Sequence, residues 1–252
     1  MNATLKQLLN RKSVRNFTGE NVKNEDLKFI FEAAQRCPNS INGQQVSLVY
    51  TRDKNKIKQI SKLCSNQKQV EIADVFVTIV IDFNRTSYAI ESLGKKQVIE
   101  KSAEGIIVGT LDAGIMLSSL QTAAESLGYG TTAIGDVRCA PYEFIEILKL
   151  PSKTYPIVGT TIGVVKQNVI ASPLKPRVPI DSFVFEDFYD DIKIKEGVEQ
   201  YEYDLKNFRV NNEMDYMTSY KGTVCSFYEK YYMPEVKKSF EKQGFRFEDK
   251  EI

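Results

Sequence analysis

Hydrophobic positions along this chain alternate between two periods. Leu27, Ile30, Phe31 and Ala34 fall at helical spacing, with Asn24 as a candidate cap and Pro38 as a stop. Lysines interleaved with Ile57, Ile60 and Leu63 predict an amphipathic helix from Asp53 to Cys64. Elsewhere short apolar runs take over. Gln45 to Thr51 predicts a strand, and Ala73 to Asp82 and Ile157 to Val165 predict buried strands of β-branched residues. Thr131 to Ile134 predicts a further short strand, Thr4 to Asn10 a short first helix, and Pro141 to Leu150 a helix with proline near its start. The longest apolar segment, Ala103 to Leu127, carries charge only at Glu104, Asp112 and Glu125 and ends at Gly128-Tyr129-Gly130. It reads as a central core helix or a subunit-interface helix. Its Gly105, Gly109 and Gly114 predict close approach of another helix.

After Pro179 buried-strand patterns give way to Tyr, Phe, Lys and Glu, which predicts an extended loop followed by helices, for example Gly222 to Gln243 with a break at Pro234. Helices and strands alternate only in part. The predicted class is therefore α+β, with a mixed central sheet flanked by helices, rather than a doubly wound parallel sheet. With no repeat and no low-complexity linker, residues 1–252 read as one integrated domain. Residues 181–252 read as a helical tail that wraps the body or a partner subunit.

Composition narrows the chemistry. The 252 residues hold 34 basic and 33 acidic side chains, a net charge of +1, which gives no electrostatic case for nucleic acid as partner. No run reaches the roughly 18 unbroken apolar residues of a membrane span, and the amino terminus lacks an apolar signal region, so a cytoplasmic protein is expected. The four cysteines, Cys37, Cys64, Cys139 and Cys225, are widely spaced and read as free thiols. The chain has no histidine, which excludes Ser-His-Asp and Cys-His catalysis and histidine-ligated metals. An enzyme built this way relies on carboxylates, Lys, Tyr, Cys or a cofactor with its own reactive centre.

Two basic clusters supply an anion site. Arg11-Lys12-Ser13-Val14-Arg15 puts three cations and a hydroxyl within five residues, and Lys175-Pro176-Arg177 follows far down the chain. Guanidinium forks and a short hydroxyl donor suit a phosphorylated ligand held from two sides; solvated surface charge gives the same pattern. Pro38-Asn39-Ser40-Ile41-Asn42-Gly43-Gln44 packs amides, a hydroxyl and a glycine between a helix and a strand, as a polar-ligand loop or an ordinary turn would. Gln67-Lys68-Gln69 is of the same type.

Taken in order, these segments resemble the FMN-dependent nitroreductase family, in its NADPH-preferring, oxygen-insensitive nitroreductase and flavin reductase branch. The resemblance is carried by Arg11 to Thr18, Pro38 to Gln44, Gln67-Lys68, Asp82-Phe83-Asn84-Arg85, Ala124 to Gly128 running on to Ile134-Gly135, and Leu174 to Arg177, and it extends over the whole chain. It implies an α+β homodimer with FMN at the interface and NADPH or NADH as hydride donor. It implies that Arg11 and Ser13 meet the FMN phosphate, closed from the carboxyl side by Lys175 and Arg177, that Lys12 is a further cofactor-binding residue, and that Arg15 lies at the flavin N1/O2 edge. Asn39, Gln67 and Gln69 would meet the ribityl chain or pyrimidine edge, and backbone from Ala133 through Ile134 and Gly135 to Asp136 would line the ring. No metal is implied.

Three departures stand out. Asn39 replaces a small hydroxyl residue common in this branch, and Asp136 follows Gly135 where relatives often have paired glycines. In the tail segment that reads NADPH in relatives, Asn207 to Met214, Arg209 is the basic residue that remains. The resemblance implies small-molecule acceptors: nitroaromatics, quinones, azo compounds or free flavin. A dedicated flavin reductase and a non-catalytic FMN-binding redox sensor are the alternatives.

Overall fold

The computed structural model describes residues 1–166, 172–214 and 216–249. Four strands form one sheet: β1 (Val46–Thr51), β2 (Val75–Asp82), β3 (Tyr129–Ile134) and β4 (Thr154–Val164), in the order β1-β2-β4-β3. The α+β class is as expected. Every pairing among these strands is antiparallel, so the mixed sheet predicted from the partial helix–strand alternation is not found among the described residues.

Side-chain alternation along β2 splits the core into two layers. Val75 and Val77 face α2 (Asn24–Gln35) and α6 (Ala103–Ser126), packing with Leu27, Ile30, Ala34, Leu120 and Ala124. Phe76 faces the other way, into Ile57 and Ile60 of α3 (Lys54–Leu63), Val70 of α4 (Lys68–Ile72) and Phe144 of α7 (Pro141–Ile147). This body also holds α1 (Ala3–Leu9) and α5 (Asn84–Glu91). Local chemistry sets several boundaries. The Asp53 carboxylate accepts from the Lys56 N–H at 2.8 Å and caps α3, Ser102 caps α6, and Gly128 at φ 85° turns the chain after α6.

The glycines of α6 have a different role from the one their spacing predicts. A Cβ on Gly109 would fall 2.7 Å from the Ile81 side chain, and one on Gly105 would fall 2.0 Å from the Ile99 carbonyl oxygen. They let the helix approach the sheet and the preceding turn, not another helix. Gly114 faces open space beside exposed Ile107 and Leu111, each 59% accessible. By length and composition α6 is apolar enough to cross a membrane; one face of it, with Leu120 and Ala124, packs into the sheet core.

The chain clusters into two compact units. The first comprises the described residues up to 166 together with 235–249, and the second comprises those from 172 to 234. Residues 235–249 complete the first unit. Within them, α10 (Val236–Lys242) stacks Phe240 on Tyr155 at 3.7 Å, and Ser239 shares a 2.9 Å hydrogen bond with the Tyr155 hydroxyl. The second unit is built on α8 (Asp191–Asn211) and α9 (Tyr220–Tyr228). The Asp190 carboxylate caps α8, and Lys221 ties α9 to it through Glu199 at 2.6 Å. Gly197 lets Ser182 pack against the α8 backbone.

Candidate functional site

The basic segment Arg11 to Arg15 lies along an edge of the sheet. The Val14 N–H donates to the Thr131 carbonyl at 2.8 Å, the Thr132 hydroxyl donates to the Val14 carbonyl, and the Thr18 N–H donates to the Val164 carbonyl at 2.9 Å. Phe17 forms a β-bridge with Val165. Two glycines make the approach possible: a Cβ on Gly130 would fall 2.6 Å from Val14, and one on Gly163 would fall 2.7 Å from Phe17. Val14 and Phe17 are buried while Arg11, Lys12 and Ser13 stay partly accessible and Arg15 is exposed. The alternation that buries the apolar residues turns the polar ones outward.

Two further predicted segments join this one. Val14 and Phe17 pack on Ala73 at the end of α4, so Gln67 and Gln69 at the start of that helix share the neighbourhood. The Gln69 side-chain amide donates to the Gln67 side-chain carbonyl. Val70 of α4 packs on Ile134 and Val137, which places the Ala133-Ile134-Gly135-Asp136 run at the end of β3 against the same helix. Behind the basic segment, Arg11 pairs with Glu125 at 3.6 Å, and the Thr131 hydroxyl donates to the same carboxylate at 2.6 Å. Burial raises the Glu125 carboxyl above its ordinary range, partly offset by Thr131 and Arg11. The thiols near Asp136 are raised as well, Cys64 and Cys139 both chiefly by burial and then by the Asp136 charge.

Asn39 stands apart from this group. Its side-chain carbonyl accepts from the Gln44 N–H at 3.0 Å, and the next residue, Ser40, donates its N–H to both oxygens of Asp112 at 3.3 Å. Asp112 is 2% accessible and also accepts from the Gln45 side-chain amide at 2.7 Å. Burial raises its carboxyl, and the Asp112 charge adds to burial in raising Cys37. A small cavity of about 90 Å³ lies here, walled by Asn39, Gln44, Gln45, Arg85, Asp112 and Met116 among others. Arg85 donates to the Gln44 carbonyl. The loop is strained: Ile41, Asn42 and Gln44 have φ of 50°, 55° and 52°, and such left-handed conformations at non-glycine residues cost about 1–3 kcal/mol each. Asp112 and Glu125 are 13 residues apart on α6, roughly 20 Å along the axis at 1.5 Å per residue. The Asn39 loop and the Arg11 side chain therefore attach to well-separated points of one helix.

Lys175 and Arg177 belong to the second unit and are exposed. Arg209 lies in that unit in an open groove of about 450 Å³ along α8, with Glu199, Glu202, Tyr203, Lys206 and Val210. Its Nε is buried and has no hydrogen-bond partner. Lys206 shares this groove and was missed by the sequence reading. It lies one helical turn before Arg209, immediately ahead of the Asn207–Met214 segment. Asp112 and Glu125 were also missed as site supports, although each stands out as a carboxylate inside an apolar helix. Among the described residues no cluster of metal-ligating side chains occurs.

The donor set fits FMN on its chemistry. Partly buried cations and a hydroxyl suit a phosphate, the glutamine amides suit a sugar alcohol or pyrimidine edge, and the end of a strand suits a flat ring.

Comparison with known proteins agrees. The nitroreductase family model matches residues 8–164, and the model for the nitroreductase family C-terminal domain matches residues 175–248. The chain is 37% identical to the Bacillus subtilis "FMN reductase [NAD(P)H]", over 98% of this chain and all of that protein. The solved structure of B. megaterium NfrA2 superimposes with a TM-score of 0.94 at 35% identity, covering 99% of this chain and 100% of that one. The Vibrio harveyi NADPH:FMN oxidoreductase complexed with NAD+ superimposes with a TM-score of 0.85 at 26% identity, covering 96% and 98%. The chain belongs to the nitroreductase family.

Proposed function

We propose that this protein is an FMN-dependent oxidoreductase that passes hydride from NADPH or NADH to nitroaromatic, quinone, azo or flavin acceptors in alternating half-reactions. The observation that carries the proposal is the convergence of the Arg11–Arg15 segment and the end of β3 on α4, through Ala73 in one packing cluster and Val70 in another. The names of the relatives, an FMN reductase and an NADPH:FMN oxidoreductase, support the cofactor and donor. Bound FMN supplies the hydride chemistry.

The chain's residues supply binding and electrostatics. Arg11, Lys12 and Ser13 hold the phosphate, with Lys175 and Arg177 proposed as further phosphate ligands on their charge and the family resemblance. Arg15 faces the N1/O2 edge, where a cation favours the negative charge of the reduced ring. Gln67, Gln69 and the Ala133–Asp136 backbone hold the ribityl chain and ring. Lys206 and Arg209 read the 2′-phosphate of NADPH, and their shared place in one open groove supports this role. On that reading Arg209→Ala raises KM for NADPH more than for NADH. An equal rise for both donors counts against it.

The working unit in this reading is a cytoplasmic homodimer. Its support is the exposed apolar face of α6 and the separation of the Asn39 loop from the basic segment, which a second copy would bridge. Acceptor choice is open to direct test by steady-state turnover with NADPH. Parallel double-reciprocal lines with a nitroaromatic and with a quinone support alternating half-reactions. The relatives' names favour one narrower reading, a dedicated flavin reductase. Much faster turnover of free FMN than of nitro compounds would select it.

A further inference from the structure

We propose that Asp112 is a positioning residue that holds the strained Asn39–Gln44 loop in its ligand-facing conformation before the ligand arrives. The inference rests on the reading that this loop serves the FMN site. Its own basis is geometric.

A run of left-handed residues without glycine does not persist unless its surroundings fix it. Ile41 is the sharpest case: a β-branched residue at φ 50° with 92% of its surface exposed, so its own packing does not hold it there. Gly43, where the backbone freedom of glycine would be free of steric cost, has an ordinary negative φ of −72°. The restraints come from beneath. Asp112 receives the Ser40 N–H on both oxygens at the loop's entry and the Gln45 side-chain amide at its exit. Gln45 is itself 2% accessible, and a Cβ on Gly43 would fall 2.4 Å from its side-chain oxygen. One buried carboxylate on α6 thus clamps both ends of the loop, while Asn39 closes it internally onto the Gln44 N–H. Asp112 touches none of the residues proposed to hold the phosphate or the ring, so it acts through the loop alone.

The test combines a break with a repair. Asp112→Asn keeps the shape but weakens the clamp, since a neutral amide is a poorer acceptor than a carboxylate. FMN binding, followed by fluorescence quenching on the full-length chain, is expected to weaken about tenfold. Adding Gln44→Gly removes left-handed strain at one position and keeps the N–H that Asn39 accepts. It is expected to recover at least about threefold of that loss. A polar core residue with no positioning role would lower the melting temperature, leave FMN affinity in place and gain nothing from Gln44→Gly. Unchanged FMN affinity in a folded Asp112→Asn protein, or no recovery in the double variant, overturns the proposal. If Asp112→Asn does not fold, hydrogen exchange on the wild-type chain decides: the Ser40 amide should be protected with and without FMN. Protection that appears only with FMN would mean that the ligand orders the loop, and the proposal fails. A wild-type chain that binds no FMN at all sinks the functional reading first, which separates the two failures.

Discussion

The two candidate binding segments of the first unit, Arg11–Arg15 and Asn39–Gln44, are held by opposite means. The basic segment borrows the sheet. Val14 bonds to β3 and the residues that follow, Phe17 and Thr18, reach the end of β4, glycines at 130 and 163 clear this path, and none of the residues Arg11–Arg15 has a left-handed backbone. The Asn39 loop lies outside the ladders, has three left-handed residues and depends on one buried carboxylate. A segment that carries charge to a phosphate needs a firm, low-strain seat, because repulsion among its own cations already costs energy. A loop that presents a single amide tolerates strain when something beneath it is rigid.

The largest effect expected from breaking this contrast comes from the seat of the basic segment. Gly130→Val drives a side chain into Val14, an overpacking that costs about 1–3 kcal/mol and displaces the whole segment. Loss of both FMN content and several degrees of melting temperature is expected; a variant that keeps wild-type FMN would separate the segment from the site. A smaller effect is expected at the segment's exposed end. Arg15→Gln should lower the FMN midpoint potential, by roughly 30 mV for each 1.4 kcal/mol lost from the reduced state, while oxidised FMN is retained. Spectroelectrochemical titration checks it, and an unchanged potential with shed FMN would make Arg15 a plain anchor.

The smallest effect lies behind the segment. Because burial raises Glu125 above its unfolded value of 4.5, the ionised carboxylate is disfavoured in the fold. The stability this group contributes is present at low pH and lost as pH rises through the folded value. Glu125→Gln is therefore expected to match or slightly exceed wild-type melting temperature at neutral pH. The gain should vanish below about pH 4. A gain that grows on acidification would contradict the assigned cause.

Much of the body is legible in the sequence because it is buried. β2 and β4 are buried strands rich in β-branched residues, and α6 begins and ends within a residue of its predicted bounds. Short or weakly patterned elements were not legible. α4 has five residues and buries only Val70, and α8 buries only Gly197 and Leu205 over 21 residues, so neither has a strong apolar stripe. The site residues of the basic segment were legible because three cations in five positions are a poor core element. Their supports were not, since Asp112 and Glu125 are single charges whose partners Gln45 and Arg11 lie 67 and 114 positions away. Glycine spacing on α6 revealed a close approach but not its partner, because a sheet and a helix demand the same missing Cβ.

The central claim is tested most directly by the visible spectrum of the purified protein under argon, before and after NADPH. The account predicts a flavin absorbance at about one non-covalent FMN per chain that NADPH bleaches and a nitroaromatic or quinone restores. A colourless protein that takes up no FMN, or a yellow one that neither NADPH nor NADH bleaches, would contradict it.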